Sequence, residues 1–154
     1  MIVKIKVNGK LIQDDIKPQT LLIDWLRDHR FYSVKRGCDT SNCGLCTVWL
    51  DERPILSCGM LAVRCDGHEI TTLEGLQKEA ECFGTFMANE GAEQCGYCSP
   101  GFIMNVLSME KELENPSDDE ILEYLAGNMC RCSGYMLSQL RAIKKYLSRG
   151  EEHA

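Results

Sequence analysis

Val3, Ile5 and Val7 alternate with Lys4 and Lys6, the period of a strand with one buried face. Asn8-Gly9 follows, and both residues accept the positive φ of a tight hairpin turn. The pattern therefore predicts a return strand over Lys10 to Gln13. Thr20 is placed to cap a short helix over Leu21 to Asp28, with Leu22, Trp25 and Leu26 as its buried stripe. Thr47 to Leu50 and Pro54 to Ser57 read as two short strands joined by Asp51-Glu52-Arg53, and Ile70-Thr71 as a further one. Strands around one helix, with a cysteine-bearing loop, suggest a small α+β unit.

After Leu76 the period changes to that of helices. Ser99-Pro100 reads as a cap followed by proline at the first helical position, and Phe102, Ile103, Val106 and Leu107 form an apolar stripe behind it. Ser117-Asp118-Asp119-Glu120 fits a capping box opening a helix through Tyr124 and Leu125. A last helix is expected from Leu137 to Leu147. The change of pattern places a boundary near residues 75–80, giving units of 1–76 and 77–154 with no long linker between them.

Composition narrows the function. The 154 residues are 44% hydrophobic and 26% charged, enough for one ordinary domain or two small ones. A net charge of −6 argues against nucleic acid or an anionic membrane as partner. The N-terminal residues carry no signal-peptide pattern, and no apolar stretch is long enough to cross a bilayer, so a cytoplasmic location is expected. Ten cysteines then need a reason, because disulfides are disfavoured in a reducing compartment. Metal ligation is that reason. The histidines, His29, His68 and His153, lie away from the cysteine clusters, so the metal shell would be mostly thiolate.

Cys38, Cys43 and Cys46 give C-x4-C-x2-C, with Cys58 downstream, the spacing of plant-type [2Fe–2S] proteins. Two irons bridged by two sulfides need four thiolates, two per iron. Gly37 and Gly44 would permit the loop dihedrals, and inward N–H groups would donate to the sulfurs. A structural zinc site is the competing reading, although such sites favour two close pairs. Cys95 and Cys98 form C-x2-C, and Cys130 and Cys132 form C-x-C. Each pair lies beside an expected helix start, where the dipole favours thiolate. On spacing alone, this second set suits a cluster or zinc equally. Cys65 and Cys82 have no close partner in sequence and are expected to pack as small apolar residues. Glu69, Glu74 and Asp118-Asp119-Glu120 read as surface and capping charges.

These residues together resemble a known family. Ser33-Val34-Lys35-Arg36-Gly37-Cys38, Cys43-Gly44-Leu45-Cys46-Thr47-Val48, Ser57-Cys58, Ile70-Thr71-Thr72-Leu73-Glu74-Gly75 and both C-terminal motifs, through Tyr135, are similar in order and kind to the small iron–sulfur subunit of the molybdenum hydroxylases, the xanthine oxidase family. The resemblance implies a β-grasp plant-type [2Fe–2S] ferredoxin domain over 1–76, followed by a four-helix [2Fe–2S]-binding domain over 77–154. It implies two clusters that relay single electrons from a molybdopterin centre, in dinucleotide form, to FAD. The molybdopterin would sit on a large partner subunit and the FAD on a medium one. In some relatives those domains are fused behind this unit; here they are expected on separate chains. No substrate chemistry is expected in this chain alone. Gln94 matches a residue that hydrogen-bonds the pterin, and Cys132 the ligand nearest to it. Asp39-Thr40-Ser41-Asn42 lacks a glycine common between the first two cysteines, Ser99 and Ser133 replace threonine, and Asp51 to Pro54 replaces an Asp-Gly turn. A free-standing two-cluster ferredoxin and a zinc-stapled interaction module are the alternatives.

Overall fold

The computed structural model describes residues 1–134 and 137–149; Tyr135 and His153, named above, lie outside the described residues. Among the described residues, five strands form one mixed sheet in the order β2-β1-β5-β3-β4. β1 (Ile2–Val7) and β2 (Lys10–Asp15) pair antiparallel around the expected turn, where Asn8 has φ 49° and Gly9 φ 81°. β2 runs two residues beyond the expected end, because its register continues to Asp15 opposite Ile2. β5 (Glu69–Thr71) pairs parallel to β1 and antiparallel to β3 (Thr47–Leu50).

β4 (Arg53–Leu56) lies at the sheet edge, where Pro54 can sit opposite Trp49 without removing an inner ladder bond. Asp51 (φ 47°) and Glu52 (φ 67°) make the tight turn expected of the three polar residues. Asp51 is useful there for a second reason. Its carboxylate accepts from the Glu69 N–H at 3.0 Å and lies 2.6 Å from His68 Nδ1, tying the hairpin to the start of β5.

The strict alternation of β1 buries Val3, Ile5 and Val7. Against them lies α1 (Leu22–Asp28), which buries Leu22, Ile23, Trp25 and Leu26. Thr20 does not cap this helix. Leu21 occupies the cap position, and the exposed N–H groups are satisfied by backbone: Leu22 N–H donates to Met60 O at 2.8 Å. Ala62 N–H in turn donates to Thr20 O, so the chain after β4 holds the helix start.

Among the described residues, four helices follow: α2 (Gln77–Asn89), α3 (Ser99–Glu112), α4 (Asp118–Tyr124) and α5 (Leu137–Leu147). The capping box at Ser117 and Glu120 forms as expected. At α3 the cap is Cys98, not Ser99, which turns its hydroxyl to Glu93 Oε1 at 3.0 Å. Phe83, Phe102, Met104, Ile121, Ile143 and Tyr146 make a second apolar cluster, with the Tyr146 ring edge-on to Phe83 at 5.1 Å. Trp49 joins this second cluster although it stands on β3, because adjacent residues of a strand face opposite sides: Val48 enters the first core and Trp49 the second. Its Nε1 donates to Met104 O at 3.1 Å, and the Lys111 ammonium lies 4.3 Å from its ring centre. Among the described residues, no helix is long and apolar enough to cross a membrane.

Two cysteine sets and the junction between them

The loop from α1 to β3 carries Cys38, Cys43 and Cys46. Gly44 has φ 73°, and Ser41, within the segment that lacks a glycine, takes φ 55°. Gly37 does not use positive φ. Its part is close approach, since a Cβ there would lie 2.6 Å from Leu45 Cδ2 and 3.3 Å from Cys43 Sγ. Thr47 Oγ1 donates to Gly44 O at 2.7 Å and closes the loop onto β3. Buried Ser57 donates to Cys46 O at 2.8 Å, which brings the neighbouring Cys58 to Cys46.

The four thiols meet in twos, Cys38 with Cys43 and Cys46 with Cys58. N–H groups point inward, as the sequence suggested. Those of Asn42, Thr40 and Cys43 donate to Cys38 and, with the Cys43 thiol, lower it to about 6. Burial pushes Cys46 up to about 11 and raises Cys43.

The second set repeats the arrangement. Cys98 pairs with Cys130, and the Cys132 and Cys95 sulfurs are 3.5 Å apart. Gly96, at φ 74°, turns the chain between Cys95 and Cys98. The expected thiolate character of the helix start is not found at Cys98: burial, then the Cys130 thiol, push it up to about 12. At Cys130 burial acts in the same upward sense, but donors win. The Ser133 hydroxyl at 3.1 Å, its N–H at 3.3 Å and the Cys98 thiol lower it to about 7. Gln139 Nε2 donates to Ser133 Oγ at 2.9 Å.

The two sets adjoin. Met129 N–H donates to Cys43 O at 2.8 Å, one residue from Cys130. A Cβ on Gly44 would lie 2.6 Å from both Gly127 O and Asn128 Nδ2; one on Gly101 would strike Gly44 O and lie 2.9 Å from Leu45 backbone. Tyr97, between Cys95 and Cys98, donates its hydroxyl to Arg36 O at 3.1 Å. A cavity of about 420 Å³ at this junction is lined by Cys38, Cys43, Cys95, Cys98, Cys130 and Cys132.

Other expected residues fall as follows. Gln94 is exposed and shares a small pocket with Cys95, Cys98, Cys130 and Cys132; Cys132 is itself exposed. Cys65 is buried in the first core, where loss of solvation pushes it up to about 11. Cys82 departs from the buried reading and is exposed on the outer side of α2. Glu69 pairs with Lys6 at the surface. Glu74 is not a surface charge: its partly buried carboxylate accepts from Ser33 N–H at 2.9 Å, Ser33 Oγ at 2.5 Å and Thr72 Oγ1 at 2.6 Å. It anchors the stretch leading into Cys38. Its role is hidden in the sequence because Ser33 and Glu74 lie far apart along the chain.

Each set supplies four thiols, grouped two and two, with N–H and O–H groups directed at sulfur. That donor chemistry fits a [2Fe–2S] cluster, which takes two thiolates on each iron.

Comparison with known proteins agrees with this chemistry. Residues 72–144 match the family model described as a [2Fe–2S] binding domain. A probable xanthine dehydrogenase subunit of Bacillus subtilis (strain 168) is 41% identical over 156 residues, covering 98% of this chain and 90% of that protein. The xanthine dehydrogenase iron–sulfur-binding subunit of Escherichia coli O157:H7 is 43% identical over 135 residues, 85% of each chain. Among solved structures, quinoline 2-oxidoreductase from Pseudomonas putida 86 contains a chain with TM-score 0.88 and 32% identity, covering 100% of this chain and 97% of its own. Likeness of this extent, in sequence and in fold, places the chain in the family of iron–sulfur subunits of the xanthine dehydrogenase-like molybdenum hydroxylases.

Proposed function

We propose that the chain holds two [2Fe–2S] clusters and passes single electrons from a molybdopterin centre on a large partner subunit to FAD on a further subunit. Cys38, Cys43, Cys46 and Cys58 hold the first cluster; Cys95, Cys98, Cys130 and Cys132 hold the second. The division is a β-grasp ferredoxin domain over 1–76 and a four-helix domain over 77–154. Each cluster, when bound, takes up and releases one electron.

The observation that carries the reading is the junction. The hydrogen bond from Met129 N–H to Cys43 O gives a short covalent and hydrogen-bonded route between a residue adjoining Cys130 and a ligand of the other set. Gly44 and Gly101 let the two loops approach, and the surrounding side chains keep bulk water from Cys43 and Cys46. Gln94 and Cys132, both exposed at the second set, are the residues we assign to the molybdopterin side. Tyr97 and Met129, each at least half exposed, line the cavity beside Cys95, Cys98, Cys130 and Cys132 and give that region an apolar surface suited to a subunit interface rather than to a free-standing shuttle.

A zinc-stapled module is disfavoured by the same geometry. Tetrahedral zinc needs its donors on one point. Here the thiols of each set meet in twos, Cys38 with Cys43, Cys46 with Cys58, Cys98 with Cys130 and Cys95 with Cys132. All ten cysteines are free thiols, which leaves every ligand of both sets available to iron.

The test is EPR of the dithionite-reduced, anaerobically purified protein, with iron, sulfide and zinc counted in the same sample. Two distinct S = 1/2 signals with about four irons and four sulfides per chain are expected. Stoichiometric zinc without a signal would end the electron-transfer reading.

A further inference from the structure

Gln139 lies outside every cysteine motif, yet α5 points it at one. The residue is 4% exposed, on the helix face that also buries Ala142, Ile143 and Tyr146. Burying an amide among apolar groups is costly unless its hydrogen bonds are made. Here one side of the amide is used: Nε2 donates to Ser133 Oγ, while Oε1 is without a partner among the described residues. An apolar residue would fill this position at lower cost, so packing alone does not account for the amide.

The hydrogen-bond geometry gives it a task. A serine hydroxyl has one proton and two lone pairs. Gln139 donates into a lone pair of Ser133, which directs the hydroxyl proton to the Cys130 sulfur at 3.1 Å. Reversing the amide would set Oε1 against Ser133 and draw that proton from the sulfur. The orientation of Gln139 thus governs the bond that Cys130 receives.

We propose that Gln139 is a positioning residue that raises the reduction potential of the cluster on Cys95, Cys98, Cys130 and Cys132 by holding the Ser133 hydroxyl proton on the Cys130 sulfur, an inference that rests on the two-cluster reading above. Reduction adds one electron and with it negative charge, part of which falls on the cysteine sulfurs. A hydrogen bond to sulfur stabilises that charge more than the oxidised form and lifts the potential. No bond is made or broken, and the proton stays on Ser133 Oγ.

Anaerobic redox titration of the full chain, followed by EPR, reads both clusters in one sample. Gln139→Met keeps the volume and removes the donor. The second cluster's reduction equilibrium should move about tenfold toward the oxidised form, about 59 mV for a one-electron couple, with the first cluster unchanged. Ser133→Ala should shift it the same way, Gln139→Met should add nothing in that background, and Ser133→Thr should retain the wild-type potential. An unchanged or raised second potential in Gln139→Met, or a full additional shift in the Ser133→Ala background, overturns the proposal. If Gln139→Met does not load the second cluster, Gln139→Asn, which withdraws the amide from Ser133, replaces it. Loss of that cluster in both variants would make Gln139 a folding residue and also overturn the proposal. A wild-type protein lacking a second S = 1/2 signal would instead remove the two-cluster reading beneath it.

Discussion

Met129 donates its backbone N–H to the carbonyl of Cys43 at 2.8 Å, and this bond joins two cysteine loops that belong to opposite halves of the sequence. It can form because Gly44, next to Cys43, has no Cβ to meet Gly127 and Asn128.

That closeness separates two glycines with similar dihedrals. Gly9, at φ 81°, has open space where a Cβ would project; Gly44, at φ 73°, has backbone and amide at 2.6 Å. Gly9→Ala should cost about 1–2 kcal/mol, the strain of a left-handed residue. Gly44→Ala adds a displaced junction and should cost more than about 3 kcal/mol. Denaturant unfolding followed by circular dichroism compares them directly. Equal costs would show that the loops do not pack as described.

Glu74 should give the fold an acid-sensitive support. Burial opposes its ionisation, but donation from the Ser33 and Thr72 hydroxyls and the Ser33 N–H outweighs it and holds the carboxyl below its ordinary value of 4.5. A group depressed in the folded state stabilises above its unfolded value, and the contribution disappears as pH falls through the lower folded value. Glu74→Gln should therefore lower stability by about 1–3 kcal/mol at neutral pH, the scale of hydrogen bonds to a charged group. The difference from wild type should shrink below about pH 4.5. A pH-independent difference would assign the loss to packing.

Trp49 ties the sheet to the helical core, at 3% exposure. Trp49→Ala should destabilise by about 3–5 kcal/mol. Trp49→Phe, which retains most of the apolar volume but loses the bond to Met104 O, should cost about 1–2 kcal/mol. Thermal unfolding of the two variants provides the comparison.

Cys43→Ser and Cys98→Ser should each damage a different EPR signal, whereas Cys65→Ala and Cys82→Ser should leave both. Cys65 is buried in the first apolar cluster and Cys82 faces solvent, so neither stands with a thiol set. Loss of both signals from one substitution, with circular dichroism unchanged, would break the assignment of two separate sites.

Much of the local architecture is determined by the sequence itself. The alternation of Val3, Ile5 and Val7, the Asn8-Gly9 turn, the capping box at Ser117 and the last helix from Leu137 to Leu147 all follow from short-range periodicity and turn chemistry, and all are found. The cysteine spacings likewise mark Cys38 and Cys43 as thiols that the fold brings together, because residues that meet on one tight loop recur at short intervals. Where partners are distant, the sequence is silent and tertiary structure decides. Thr20 and Ser99 have the right side chains for caps, but Met60 O supplies the bond at one helix start and Cys98 takes the cap position at the other. Glu74 resembles a surface acid until Ser33 is folded over it, and Gln139 resembles an ordinary helical residue until α5 sets it beside Ser133. Gly44 looks like a loop glycine, yet the residue pressed against it is Asn128. Periodicity registers neighbours one to four residues apart; these contacts arise only when the sheet, the helices and the loops between them close on one another.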